Sequence, residues 1–251
     1  MEQYIITGTS RGIGHALAEL LIEGGASVVG ISRSENGDLL GKAKESTGSF
    51  THLSGDLSDM ESLPRLMERA MEVLGSAEAA SITLVNNAGI LEPVGFLREL
   101  DPGELDLHWR INLTAPAALT GLFLKATASH KGVRRVISLT SGAASNSYPG
   151  WVGYCTSKAG IDMMTRVAAE EEGERARIIA VAPGTVETTM QQTMRGMDES
   201  RFPRKDRFLK LKEEGRLSAP REAAKKLLQA LGDPAINSGD VVDVRKLYPD
   251  E

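Results

Sequence analysis

Tyr4-Ile5-Ile6-Thr7-Gly8-Thr9-Ser10-Arg11-Gly12-Ile13-Gly14 begins as a short apolar, β-branched run and ends in a glycine-rich turn. Beyond it Ile13, Ala16, Leu17, Leu20 and Leu21 recur at helical spacing, and Gly24-Gly25 supplies the stop. Strand, glycine turn and helix in that order form one βα unit. Glycines at such a turn let the backbone bend tightly and approach a pyrophosphate, which the free N–H groups of the helix N-terminus then meet. The spacing is T-G-x-x-x-G-x-G rather than the common G-x-G-x-x-G.

The same alternation continues to the far end of the chain. Strands are expected at residues 4–7, 27–31, 50–53, 82–86, 135–139, 177–182 and 241–244. Asp101-Pro102-Gly103-Glu104 presents an N-cap residue followed by proline at the first helical position, which opens a long helix. A last helix is expected over 219–231, with Ala223, Ala224, Leu227, Leu228 and Leu231 facing inward. Pro64 leaves the start of the helix after Asp56 open. Near-continuous apolar strands joined by helices imply an α/β fold, a doubly wound parallel sheet of about seven strands covered on both faces, that is, a Rossmann fold. The expectation is one domain over 1–251. Residues 188–218 read as a long irregular stretch holding Met190, Met194, Met197, Phe202 and Phe208 among charges, as in a lid or substrate-binding segment.

Composition narrows the function. The net charge of −5 argues against non-specific nucleic-acid binding. No apolar run approaches the ~20 residues that span a bilayer. A single cysteine, Cys155, forms no intrachain disulfide, which fits a cytoplasmic location. The four histidines lack metal-ligand spacing.

Further motifs follow the glycine turn in order. Asn86-Asn87-Ala88-Gly89 ends the fourth strand, Asn112 sits in the long helix, and Ser141 ends the fifth strand. Tyr154-Cys155-Thr156-Ser157-Lys158 comes thirteen positions after Ser141, and Pro183-Gly184-Thr185-Val186-Glu187-Thr188 follows the sixth strand. With these six motifs the chain resembles the short-chain dehydrogenases/reductases over essentially its whole length. Within that family it is most similar to sepiapterin reductases and the bacterial benzil reductases that form (S)-benzoin. Ser141-Gly142-Ala143-Ala144, Gly150-Trp151, Glu187-Thr188-Thr189-Met190-Gln191 and the ending Ser238-Gly239-Asp240-Val241-Val242-Asp243 carry the closer likeness.

The resemblance implies a carbonyl reductase. Tyr154 would donate a proton to the carbonyl oxygen. Lys158, one helical turn on, would lower the phenol's pKa and hold the nicotinamide ribose. Ser141 would orient the carbonyl, and Asn112 would hold a water linking Lys158 to solvent. Cofactor contacts would come from Gly8, Ser10, Arg11, Gly12, Ile13, Gly14, Ser32, Arg33, Asp56, Leu57, Asn87, Ala88, Gly89, Tyr154, Lys158, Pro183, Gly184, Val186 and Thr188. The second strand ends Ile31-Ser32-Arg33-Ser34 with no acid for a ribose diol. Arg33 and Arg11 instead suit a 2′-phosphate, which makes NADPH the expected cofactor. A bulky aromatic or vicinal-dicarbonyl substrate is implied, with Trp151 in its pocket and Asp243 either anchoring it or capping the last strand. The alternatives are a 3-oxoacyl thioester reductase or secondary-alcohol dehydrogenase of the same family, or a non-catalytic dinucleotide sensor. Family members pair through the helices after Asn112 and Tyr154, so a homodimer or tetramer is expected.

Overall fold

The computed structural model describes residues 1–75 and 79–249. Seven strands form a single sheet: β1 Glu2–Thr7, β2 Ser27–Ser32, β3 Ser49–Ser54, β4 Ser81–Asn86, β5 Val133–Leu139, β6 Arg177–Ala182 and β7 Val241–Asp243. Their order is β3-β2-β1-β4-β5-β6-β7 and every pair is parallel. The order reverses between β1 and β4, which register Ile5 against Leu84 and Ile6 against Val85. A crevice therefore opens beyond the carboxyl ends of these two strands, the usual ligand position in such sheets.

Side-chain alternation divides the interior into two layers. Ile6, Val85, Ile137 and Val181 point to one face, under helices α1 (Gly12–Glu23) and α9 (Pro220–Gly232). Ile5, Leu84, Val136 and Ile178 point to the other, under α3 (Leu63–Leu74), α5 (Ala115–Ala126) and α6 (Val152–Glu172). Adjacent positions of one strand thus serve opposite cores, which is why the strands read as continuous apolar runs rather than alternating ones. Phe123 of α5 is fully buried in the second layer, so truncating it to alanine is expected to cost about 3–5 kcal/mol.

Expected and observed strands agree within two residues; the last ends at Asp243, whose side chain accepts from the Arg245 N–H and starts a short helix α10 (Val244–Leu247). The helix opened by Asp101 is interrupted. It runs as α4 (Pro102–Trp109), widens into a π turn at Arg110–Thr114, and continues as α5. Residues 188–218 are not irregular but carry α7 (Thr189–Gly196) and α8 (Lys205–Glu213). Each buries only a narrow stripe, Gln191 and Met194 on α7 and Phe208 on α8, too little for a clear helical signature amid the charges. Helix α2 (Gly37–Glu45), which the pattern did not reveal, buries Leu39 alone. Helices α7 and α8 close a third, smaller apolar cluster of Leu91, Val94, Ala143, Trp151, Met194, Phe202 and Phe208 over the carboxyl end of the sheet.

Candidate active site

One cavity of about 710 Å³ runs from the glycine turn to α7 and α8. At its floor Gly8 has φ of +76°, and a Cβ there would stand 2.9 Å from the Ala88 Cα. Only glycine combines that backbone with that clearance. The Thr7 hydroxyl accepts from the N–H groups of Asn87 and Ala88, both at 3.0 Å. The Asn87 amide in turn donates to the carbonyls of Thr7 and Gly8, at 2.8 and 3.1 Å. Asn87 is therefore the clasp that joins the ends of β1 and β4. No side chain caps the first turn of α1, leaving its N–H groups for an anion. Gly8, Ser10, Arg11, Gly12, Ile13, Asn87, Ala88 and Gly89 all line the cavity. Gly14 does not. It lies behind the turn, where a Cβ would meet the Gly8 oxygen at 2.3 Å, so its part is to let α1 pack close.

The cavity continues along Ser32, Arg33, Asp56 and Leu57. Asp56 Oδ1 accepts from the Ser58 N–H at 2.9 Å and its hydroxyl at 2.8 Å, and these bonds hold the carboxyl below the usual aspartate range. Arg33 adds a smaller pull in the same direction. The Ser32 hydroxyl is occupied, donating to the Ser34 carbonyl at 2.9 Å. The guanidinium groups of Arg11 and Arg33 form no ion pair within the ion-pairing distance among the described residues. A tight glycine cradle, an uncapped helix end and two free cations fit a dinucleotide carrying several phosphates. Pro183, Gly184, Val186 and Thr188 line the opposite wall.

Ser141, Tyr154 and Lys158 meet at the centre. Ser141 leaves β5 and caps a 3₁₀ turn at Gly142–Ala144, its oxygen accepting from the Ala143 N–H. Tyr154 and Lys158 lie one turn apart on α6, with the Lys158 Nζ 5.7 Å from the Tyr154 ring centre. Burial raises the phenol's pKa above its ordinary value, and the nearby Ser141 hydroxyl opposes that rise. Lys158 is itself only 6% exposed, and burial brings its pKa down to about 8.

Asn112 stands outside the cavity wall. Its side chain accepts from the Ile90 N–H at 2.8 Å and donates to the Ile90 carbonyl at 2.7 Å and to His108 Nε2 at 2.9 Å. Both ends of the amide are thus engaged in fastening the loop after β4 to the π turn. His108 was missed in the sequence. It is fully buried one turn before Asn112, donates from Nδ1 to the Glu92 carbonyl, and meets the Tyr154 ring edge-on at 6.4 Å. Burial keeps its pKa below the ordinary histidine value, so it is neutral and accepts through Nε2. The i, i+4 spacing to Asn112 was the available signal.

Above the triad Tyr148, Trp151, Met190, Met194, Phe208 and Leu211 line an apolar wall. Trp151 stacks on Phe202 at 4.6 Å with an interplanar angle of 5° and turns its edge to Tyr154. Phe202 supports this wall from behind without reaching the cavity. Asp243 does not reach it either. Its carboxylate accepts from Arg245 Nε at 3.0 Å and Nη2 at 2.6 Å, besides capping α10. Of the two roles left open for it, the cap is the one seen, at the end of the last strand, while Arg245 lines the cavity. A carboxylate two positions from an arginine at a strand-to-helix corner closes a local ring more easily than it extends into a pocket.

A family model described as short chain dehydrogenase matches residues 2–199. A benzil reductase ((S)-benzoin forming) from Bacillus cereus is 38% identical over 97% of this chain and 99% of its own length. A sepiapterin reductase from Meriones unguiculatus is 33% identical over 95% of this chain and 94% of its own. A solved short chain dehydrogenase/reductase from Saccharomyces cerevisiae, 28% identical, superposes with a TM-score of 0.84 over 97% of this chain and 96% of that one. The protein therefore belongs to the short chain dehydrogenase family, as an oxidoreductase that acts on C=O and CH–OH groups with a nicotinamide dinucleotide.

Proposed function

We propose that the protein is an NADPH-dependent reductase of bulky aromatic ketones, with vicinal diketones of the benzil type as its preferred class. The observation that carries this reading is the position of Ser141, Tyr154 and Lys158 beneath the aromatic wall of Tyr148, Trp151 and Phe208. A flat ring system has faces to pack against there while its carbonyl meets two hydroxyls. The bound dinucleotide would supply the hydride. Ser141 would hold the carbonyl oxygen, and Tyr154 would give it a proton. The Lys158 ammonium would then favour the phenolate that remains. Arg11 and Arg33 support NADPH over NADH, since a 2′-phosphate offers each a charged partner.

Engagement of Asp243 by Arg245 favours a neutral diketone over a pterin, whose guanidine-like edge calls for a free carboxylate. We further assign 1–251 to one dinucleotide-binding domain with 188–218 as its lid. Met163 and Val167, one turn apart and exposed on α6, support a homodimer or tetramer. The single cysteine, Cys155, supports a reducing cytoplasm. The test is a panel of benzil, sepiapterin and a 3-oxoacyl thioester with each cofactor. Highest kcat/KM for benzil with NADPH is expected; preference for the thioester, or reaction only in the alcohol-oxidising direction, overturns the reading.

A further inference from the structure

The Thr140 hydroxyl, between Leu139 and Ser141 at the end of β5, donates to Asp162 Oδ1 at 2.5 Å. Leu139 is the residue whose carbonyl receives the Lys158 ammonium, and Ser141 is the hydroxyl beside Tyr154. Asp162 itself lies one helical turn beyond Lys158 on α6, half-buried. One carboxylate thus grips the strand end that carries both partners of the site, and does so from the helix that carries Tyr154 and Lys158. From this geometry we propose that Asp162 is a positioning residue for catalysis, which locks β5 to α6 through Thr140 and sets a carboxylate one helical turn from the Lys158 ammonium. This role rests on the reductase reading.

Lys158 is surrounded by few groups that titrate. Among the described residues they are His108 from α4, held neutral, and Tyr154 and Asp162 from α6. Cys155 acts on Tyr154 rather than on the lysine. β5 contributes Thr140 and Ser141, and the π turn Asn112, none of which ionises. Asp162 is therefore the charge that opposes the desolvation of Lys158; burial raises its own pKa above the ordinary carboxylate value, and the Thr140 hydroxyl, Arg166 and Lys158 oppose that rise. Without a nearby anion, a lysine so deeply buried loses its proton at still lower pH.

The experiment compares wild type with Asp162→Asn, Asp162→Glu and Thr140→Val. Two readouts are used: the pH profile of kcat/KM for benzil at saturating NADPH, and an NMR titration of ¹³C-labelled lysine, with Lys158 assigned by Lys158→Arg. Asp162→Asn is expected to move the alkaline limb and the Lys158 titration down together by about one unit, and Asp162→Glu to restore both. Thr140→Val keeps the charge, so kcat is expected to fall about tenfold with the limb in place, as a displaced Ser141 dictates. An unmoved Lys158 titration in Asp162→Asn overturns the electrostatic role, even if that variant melts earlier. Unchanged kcat in Thr140→Val overturns the tether. Should wild type reduce no ketone, the functional reading falls, whereas the NMR arm still decides the bond between Asp162 and the charge of Lys158. Should Asp162→Asn fail to fold, Asp162→Ser takes its place, and a lowered Lys158 titration in it supports the coupling while an unmoved one opposes it.

Discussion

The Lys158 ammonium donates to the backbone carbonyl of Leu139 at 2.7 Å, inside the protein, at the edge where β5 ends. That bond spans the gap between the catalytic helix and the sheet, and it aims the lysine at the crevice. Its burial has a kinetic consequence. In the proposed mechanism the charged form stabilises the phenolate left after proton transfer, and burial brings the lysine's pKa to about 8. Ketone reduction is therefore expected to be full below that value and to decline as pH rises through it, because the cation is lost while Tyr154, raised by burial, still holds its proton. Lys158→Arg keeps a charge at all accessible pH and is expected to remove the decline at a lower overall rate. Initial rates from pH 6 to 10 check this; a flat profile for wild type contradicts it.

The proposed mechanism gives the proton step to Tyr154 alone. Phenylalanine preserves the edge-on contacts with Trp151 and His108 and removes only the hydroxyl. Tyr154→Phe is expected to lose roughly 10²–10⁴-fold in kcat with unchanged affinity for NADPH, measured by quenching of protein fluorescence. Wild-type turnover in this variant removes the mechanism.

Cofactor choice is assigned to Arg33 and Arg11. A charge-assisted contact to a phosphate is lost in Arg33→Ala, and kcat/KM for NADPH is expected to fall about 10–100-fold with NADH little affected. Equal losses with both cofactors mean that Arg33 does not select between them.

Much of this was legible in the sequence because it is local. The strand–turn–helix periodicity at residues 4–21, the four-residue step from Tyr154 to Lys158 and the glycine at position 8 each depend on a few neighbouring positions. What was missed depends on crossings between distant segments. His108 matters because α4 passes Tyr154 of α6, and Thr140 because Asp162 is placed opposite it by the packing of α6 on the sheet. Helices α2 and α8 bury one residue apiece, which leaves no periodic signal to read. The role of Asp243 was left open for a different reason. Its alternative partner Arg245 was in plain view two positions on, but only the strand-to-helix corner brings the two together.

The exposed pair Met163 and Val167 gives a test of association. Both are apolar and exposed on a helix that otherwise carries charge on its outer face, and neither lines the cavity. Met163→Glu combined with Val167→Lys is expected to shift a dimer or tetramer to monomer in light scattering. An unchanged mass places the contact elsewhere.

Asp243 and Arg245 separate the two substrate classes. The carboxylate caps α10 and is held by two bonds from the guanidinium, so it is committed within the protein. Asp243→Ala is then expected to cost about 1 kcal/mol of stability through the lost cap and to lower benzil and sepiapterin turnover alike. Arg245→Ala acts in the opposite sense: it frees the carboxylate and opens space beside Gly184, against which the arginine's stem packs at 3.0 Å from where a Cβ would lie. A freed acid at that corner supplies what a guanidine-like edge needs, so the ratio of sepiapterin to benzil kcat/KM is expected to rise. If Asp243→Ala instead abolishes only the sepiapterin reaction, the acid already contacts substrate in the working enzyme, and the Arg245 bond must break when a pterin binds.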